Sequence, residues 1–288
     1  MAEAEVGDEQ RFEDPTVNRL QELVADLLGK EVGLFLPSGT MCNEIAFLVH
    51  CRRGDEIILH QAAHPVMAEG GALGFLAGVL PSRIQSDDGI FSPEQVEAAI
   101  RPDSRYAPRT RLVSIEQTSN LGGGSVWPVE TIDAVCNLAH RRGLVTHLDG
   151  ARLMNAVVAS GRPAREHCRG LDSCWLDLTK GLGAPIGAVL CGSRAFVEEA
   201  WRYKQAMGGA MRQAGIVAAA GLYALEHHVD RLAEDHANAR RLAEGLAEIP
   251  GLATDPARVQ TNIVFFDCAG TGHTAAELNA AAEARGVR

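Results

Sequence analysis

From about residue 16 to residue 210, apolar runs of strand length alternate with amphipathic stretches of helical period. That alternation restricts the chain to an α/β fold with a mainly parallel central sheet and helices on both faces. The strand candidates are VGLFL (32–36), DEIIL (55–59), RLVSIE (111–116), LVTHLD (144–149), CWLDLT (174–179) and IGAVLC (186–191). Helix starts between them are marked: Ser92-Pro93 sets a capping hydroxyl before a first-turn proline, and Pro128 opens VETIDAVCNLAHRRG. After Met211 the pattern becomes a long alanine-rich helical region to about Ile249, then one strand, QTNIVFFD, and one more helix. We read residues 1–225 as a large domain and 226–288 as a small C-terminal α/β domain with too few elements for a complete sheet.

A formal net charge of −10 argues against a surface built for nucleic-acid phosphates, and the short basic stretch Arg101 to Arg111 reads as a solvated loop. No run of about 18 apolar residues suggests a membrane span. The acidic start, MAEAEVGDEQRFED, lacks the order of a secretory signal, so the cytoplasm is the expected compartment. The seven cysteines (Cys42, Cys51, Cys136, Cys168, Cys174, Cys191, Cys268) stand in apolar context without CxxC or His-Cys spacing and are expected as small buried hydrophobes. His227, His228 and His236 lack a matched carboxylate or cysteine set, so no metal is expected. Trp175 and Trp201 read most simply as core.

Several positions could carry chemistry. Ser38-Gly39-Thr40 stands between a strand and a helix, where backbone N–H groups and the helix dipole converge on a point that suits a phosphate. It is also an ordinary turn and N-cap. Asp149 ends a buried strand, where an ionised carboxylate needs a cation or a strong donor. A pyridinium N–H would serve, and so would a cap on the next helix or Arg152. Lys180, flanked by Gly181 and Gly183, lies 31 residues beyond Asp149, enough for one helix and a return strand to bring both to one sheet edge. A lysine there can form a Schiff base if desolvation and nearby charge keep its amine nucleophilic. His64 follows a strand and could lie flat on an aromatic ring or act as a plain hydrogen-bonder.

Together, SGTMCNE (38–44), AHPVMAEGG (63–71), HLDGARLMNA (147–156), TKGLGAPIGAVLCG (179–192) and GGAMRQAG (208–215) resemble, in order and spacing, the L-threonine aldolase family of fold-type-I pyridoxal-phosphate (PLP) enzymes. The resemblance implies retro-aldol cleavage of L-threonine, L-allo-threonine or a related β-hydroxy-α-amino acid such as phenylserine to glycine and an aldehyde. It implies Lys180 as the Schiff-base lysine, Asp149 as partner of the pyridine nitrogen and Arg152 as its neighbour. His64 is then the residue stacked on the ring, with Glu69 near the reacting centre. Ser38, Gly39 and Thr40 hold the phosphate, and Arg212 reaches a phosphate in an adjacent subunit, aided by Lys204 or, in another register, Gln205. Shared active sites imply a homo-oligomer, a dimer or a tetramer.

Two departures from the family pattern stand out. Where the family commonly has ENTHN this chain reads EQTSN, so Ser119 occupies the position of a histidine that contacts the substrate β-hydroxyl. The chain also begins after a family segment with a Ser-Asp-Thr motif and stops before the arginine that grips the substrate carboxylate, a role Arg288 is too terminal to take. It is thus expected to be a fragment or a shortened member. The identity of the catalytic base stays open between His64 acting directly and a water held with Glu69. Two other readings remain at this point: a PLP lyase catalysing β-elimination, and a catalytically silent PLP-binding homologue.

Overall fold

The computed structural model describes residues 1–287; Arg288, and with it any role for that arginine, lies outside them. The elements are α1 (Pro15–Leu28), β1 (Val32–Leu36), α2 (Gly39–His50), β2 (Glu56–His60), α3 (His64–Met67), β3 (Leu80–Ile84), α4 (Pro93–Ala99), β4 (Thr110–Glu116), α5 (Val129–Arg141), β5 (Val145–Asp149), α6 (Leu153–Ser160), α7 (Ala164–Cys168), β6 (Ser173–Asp177), β7 (Ala188–Gly192), α8 (Arg194–Ala206), α9 (Gly215–His227), α10 (Leu232–Ala247) and α11 (Ala275–Glu283).

The strands form one seven-stranded sheet, in the order β1-β7-β6-β5-β4-β2-β3. Pairing is parallel from β3 to β6; β7 runs antiparallel to both β6 and β1, which leaves β1 in the common direction. Strands covered on both faces are apolar at consecutive positions. Leu34 and Leu36 pack on the face of α2 and α8, while Phe35, Ile58 and Val113 join α1, α5, α6 and α9 on the other. Local signals set the ends: Asp14 Oδ1 accepts from the N–H groups of Thr16 and Val17 at 3.1 and 3.0 Å, and Gly29 closes α1 with φ of 67°. Ser92 and Gln95 form the capping box expected at α4.

Three expectations need correction. The helical region after Met211 is two helices, broken at residues 228–231, where His228 turns to bind the Leu182 carbonyl at 2.6 Å. β3, reading LPSRI, escaped the pattern because Pro81 and partial exposure disguise it; at a sheet edge a missing N–H is tolerated. QTNIVFFD is not a strand. Among the described residues only Asp267 bridges, to Ala253, while Thr261 and Gln260 tie the segment to the loop at 124–126 through their side chains. Five cysteines are buried as expected, while Cys51 and Cys268 are only partly so. No helix among the described residues is long and apolar enough to cross a membrane.

Candidate active site

Because β1, β2, β4, β5 and β6 share one direction, their carboxyl ends, and the amino end of β7, meet at one edge of the sheet. Register pairs Glu116 with Asp149, and Ala188 with both Asp177 and Leu36. A cleft of about 400 Å³ opens there, lined by Ser38, Gly39, Thr40, His64, Glu69, Glu116, Asn120, Asp149, Arg152, Trp175, Asp177 and Lys180 among others. Most of the residues singled out in the sequence therefore converge.

Ser38 caps α2, its Oγ accepting from the Met41 N–H at 3.2 Å. The first N–H groups of that helix have no partner in the turn before them and serve an anion well. Gly39 is required there by space, since a Cβ would stand 2.2 Å from Cη2 of Trp175. Trp175 is thus both core and cleft wall, and Trp201, expected as core, is only partly buried.

Asp149 is 1% exposed, with Oδ1 accepting from the Ala151 N–H at 3.0 Å and Oδ2 from Asn43 at 2.9 Å. Burial, and then the charge of Glu116, pushes its carboxyl up to about 7. Arg152 does not pair with it. The guanidinium stands in the cleft, its Nε buried without a partner among the described residues, and burial lowers its proton affinity. Lys180 is half-exposed and ion-paired with Asp177. Asp177 is held in turn by the Thr179 N–H and hydroxyl at 2.6 and 2.7 Å. His64 donates its backbone N–H to Glu116 at 2.7 Å, and its Nδ1 meets Glu69 Oε1 at 2.8 Å. That bond outweighs burial and raises the imidazole above its ordinary value.

Asn43 is the residue the sequence reading missed most. Its Nδ2 donates to both Glu69 (2.8 Å) and Asp149 (2.9 Å), while Oδ1 accepts from the Trp175 indole at 2.7 Å. An indole N–H can only donate, which fixes the amide's orientation and leaves His147 Nε2, 3.3 Å away, as a second donor to Oδ1. His147 Nδ1 then accepts from the Ser173 hydroxyl at 2.8 Å, and burial keeps the ring neutral by lowering it to about 3. Asn43 was visible as a polar residue that stands, with Glu44, in the middle of a mostly apolar helix. Glu116 and Asp177 were visible too, since three parallel strands end in a carboxylate: RLVSIE, LVTHLD and CWLD.

The structure leaves three candidates outside this cleft. Ser119 is buried against Gly89 and Gly122, with Asn120 lining the cleft in its stead. Arg212 is largely exposed and pairs with Asp8 at 2.7 Å. Lys204 of α8 is fully buried against Glu9 at 3.0 Å, a strut that ties the N-terminal segment to α8 and is closed to ligands.

The profile of the beta-eliminating lyase family matches residues 1–269. The chain belongs to that family. Among its relatives, a low-specificity L-threonine aldolase of Escherichia coli K12 is 44% identical over 92% of this chain and 78% of its own length. Low-specificity L-threonine aldolase 1 of Arabidopsis thaliana is 41% identical over 100% of this chain and 82% of its own. A solved structure of a putative L-allo-threonine aldolase from Listeria monocytogenes superposes with a TM-score of 0.80 at 25% identity, covering 92% of this chain and 72% of that one. The family fold is thereby the fold-type-I α/β architecture expected from the motifs.

Proposed function

We propose that the cleft binds PLP and that the chain is an aldehyde-lyase, cleaving L-threonine, L-allo-threonine or a relative such as phenylserine to glycine and an aldehyde. The observation that carries this reading is Asp149: a sealed carboxylate, pushed up to about 7, in a cleft that also holds a helix N-terminus and a lysine. Such a group calls for a cationic N–H donor, which a pyridinium supplies. The residues fit the cofactor on each count. Asp149 would hold the ring nitrogen with Arg152 beside it, Ser38, Gly39 and Thr40 the phosphate, and Lys180 the aldehyde carbon, while His64 would cover the ring. Arg212, outside the cleft of its own chain, would serve the phosphate of a neighbouring subunit in a dimer or tetramer.

When bound, PLP supplies an aldehyde that takes up the substrate amine and a conjugated ring that accepts the electron pair released at Cα. The protein supplies proton handling and orientation. His64 gives its Nδ1–H to Glu69, which leaves Nε2 to accept the β-hydroxyl proton; the O–H electrons form the new carbonyl as Cα–Cβ opens. Ionised Glu69 steadies the imidazolium so formed. A positioned base of this kind is worth about 10² to 10⁴ in rate. Lys180, paired with Asp177, would serve as the proton donor for Cα.

The similarity to threonine aldolases supports the substrate class. A cytoplasmic setting, and the assignment of residues 226–288 to a smaller second domain, belong to the same proposal. The test is purified protein with PLP and L-threonine. Glycine and acetaldehyde in equal amounts are expected, whereas a 2-oxo acid with ammonia would mean β-elimination and overturn the assignment.

A further inference from the structure

Helix α2 carries an acid that none of the roles above employs. Glu44, next to Asn43, is 1% exposed, and among the described residues neither of its oxygens meets a hydrogen-bond partner. The charge that bears on it is Glu69. Glu69 Oε1 takes donors from Asn43 and His64, both at 2.8 Å, while its Oε2 has none. Two neighbouring carboxyl groups thus share three bare oxygens. As two anions they would repel each other, desolvated, with nothing opposing. One proton resolves the conflict, because a carboxylic acid donates where a carboxylate can only accept. That proton belongs on Glu44, since Glu69 already has two donors for its charge.

We infer that Glu44 is a neutral carboxylic acid whose O–H donates to Glu69 Oε2, a positioning residue that holds Glu69 as an anion behind His64. Burial first, and the Glu69 charge second, push the Glu44 carboxyl up to about 8, so the proton is in place at neutral pH and lost above it. The other charged groups nearby act one step removed. Asp149 from β5 and Glu116 from β4 bear on His64, Arg152 stands beside these two, and Lys204 of α8 is already paired with Glu9. Once Glu44 ionises, Glu69 loses a donor and gains an adjacent anion, and its grip on the His64 proton tightens.

The catalytic consequence rests on the reading of His64 and Glu69 as the proton-handling pair, but the protonation is measured without turnover. On PLP-loaded protein, infrared spectra taken between about pH 6 and about pH 10 report protonated carboxyl groups, and ring ¹⁵N shifts report His64. Wild type should show a protonated-carboxyl band that bleaches near pH 8 and a matching alkaline step at His64. Glu44→Gln keeps a donor toward Glu69 but cannot ionise, so both signals should vanish; Glu69→Gln should keep the band. An undiminished band in Glu44→Gln, or a His64 titration the same as wild type's, overturns the assignment. If these signals behave as expected and no aldehyde forms, it is the proposed reaction that fails.

Discussion

The cleft edge of the sheet and the C-terminal stretch from Leu232 onward are built on opposite terms. At the cleft Glu69, Glu116, Asp149 and Asp177 are all buried, with Glu44 buried behind Glu69, and among the described residues the positive groups of the lining are His64, Arg152 and Lys180. Along α10 and beyond, Leu232, Ala239, Ala243, Val259 and Thr261 are the only buried positions among the described residues, α11 has no buried residue, and Phe265 and Phe266 are 54% and 45% exposed. Sealed charge is costly and persists only where a rigid frame holds it. Here the frame is five strand ends and the start of α2. The comparison teaches that the tightly determined part of this chain is its chemistry, while the described residues from Leu232 onward are only loosely packed on it.

The sharpest way to break the comparison is at Lys180. Lys180→Ala should abolish turnover and the visible band of the bound cofactor while leaving the melting temperature of the cofactor-free protein close to wild type. Asp149→Asn comes next. A neutral amide cannot keep a pyridinium charged, so kcat should fall by on the order of 10² to 10³, the scale of losing one preorganised electrostatic partner. The same substitution reads the burial of that carboxyl. A folded value of about 7 against about 3.9 unfolded means that this group's contribution to the stability of the cofactor-free protein is fully present below about pH 4 and is lost as pH rises through about 7. In urea titrations Asp149→Asn should flatten this slope, and an unchanged slope would place the ionisation elsewhere.

The architecture was legible because strands covered on both faces advertise themselves as apolar runs, and because Asp149 ends one and Lys180 follows another. The cleft was legible only in part. Asn43 acts through bonds to Glu69, Asp149, Trp175 and His147, residues 26 to 132 positions away, and no local pattern encodes such a meeting. Ser119 shows the reverse error: a position in line with a motif whose side chain the loop at 122 and 89 turns away. QTNIVFFD failed because a strand is a property of two segments, and this one has no ladder partner among the described residues.

Smaller effects sharpen the contrast. Asn43→Ala strands one carboxylate oxygen, Asp149 Oδ2, together with the Trp175 indole N–H and the His147 Nε2–H, while Glu69 Oε1 keeps its bond to His64; the cost is about 1–3 kcal/mol for each buried group left unpaired. Denaturant midpoints should fall accordingly, and no shift would mean that the network is idle. Thr274→Ala removes the capping box of α11, worth about 1 kcal/mol to that helix. Hydrogen exchange should quicken across residues 275–283 with the main unfolding transition unmoved; a matching fall in global stability would show the two regions to be one cooperative unit.

The central claim, that the strand-end cleft holds PLP on Lys180 opposite Asp149, is tested most directly by reducing the PLP-loaded protein with borohydride and mapping the modified peptide. The account predicts the cofactor's mass on Lys180 alone, and its disappearance in Lys180→Ala. Cofactor fixed to Lys30 or Lys204, or wild type with no reducible attachment at all, would contradict it.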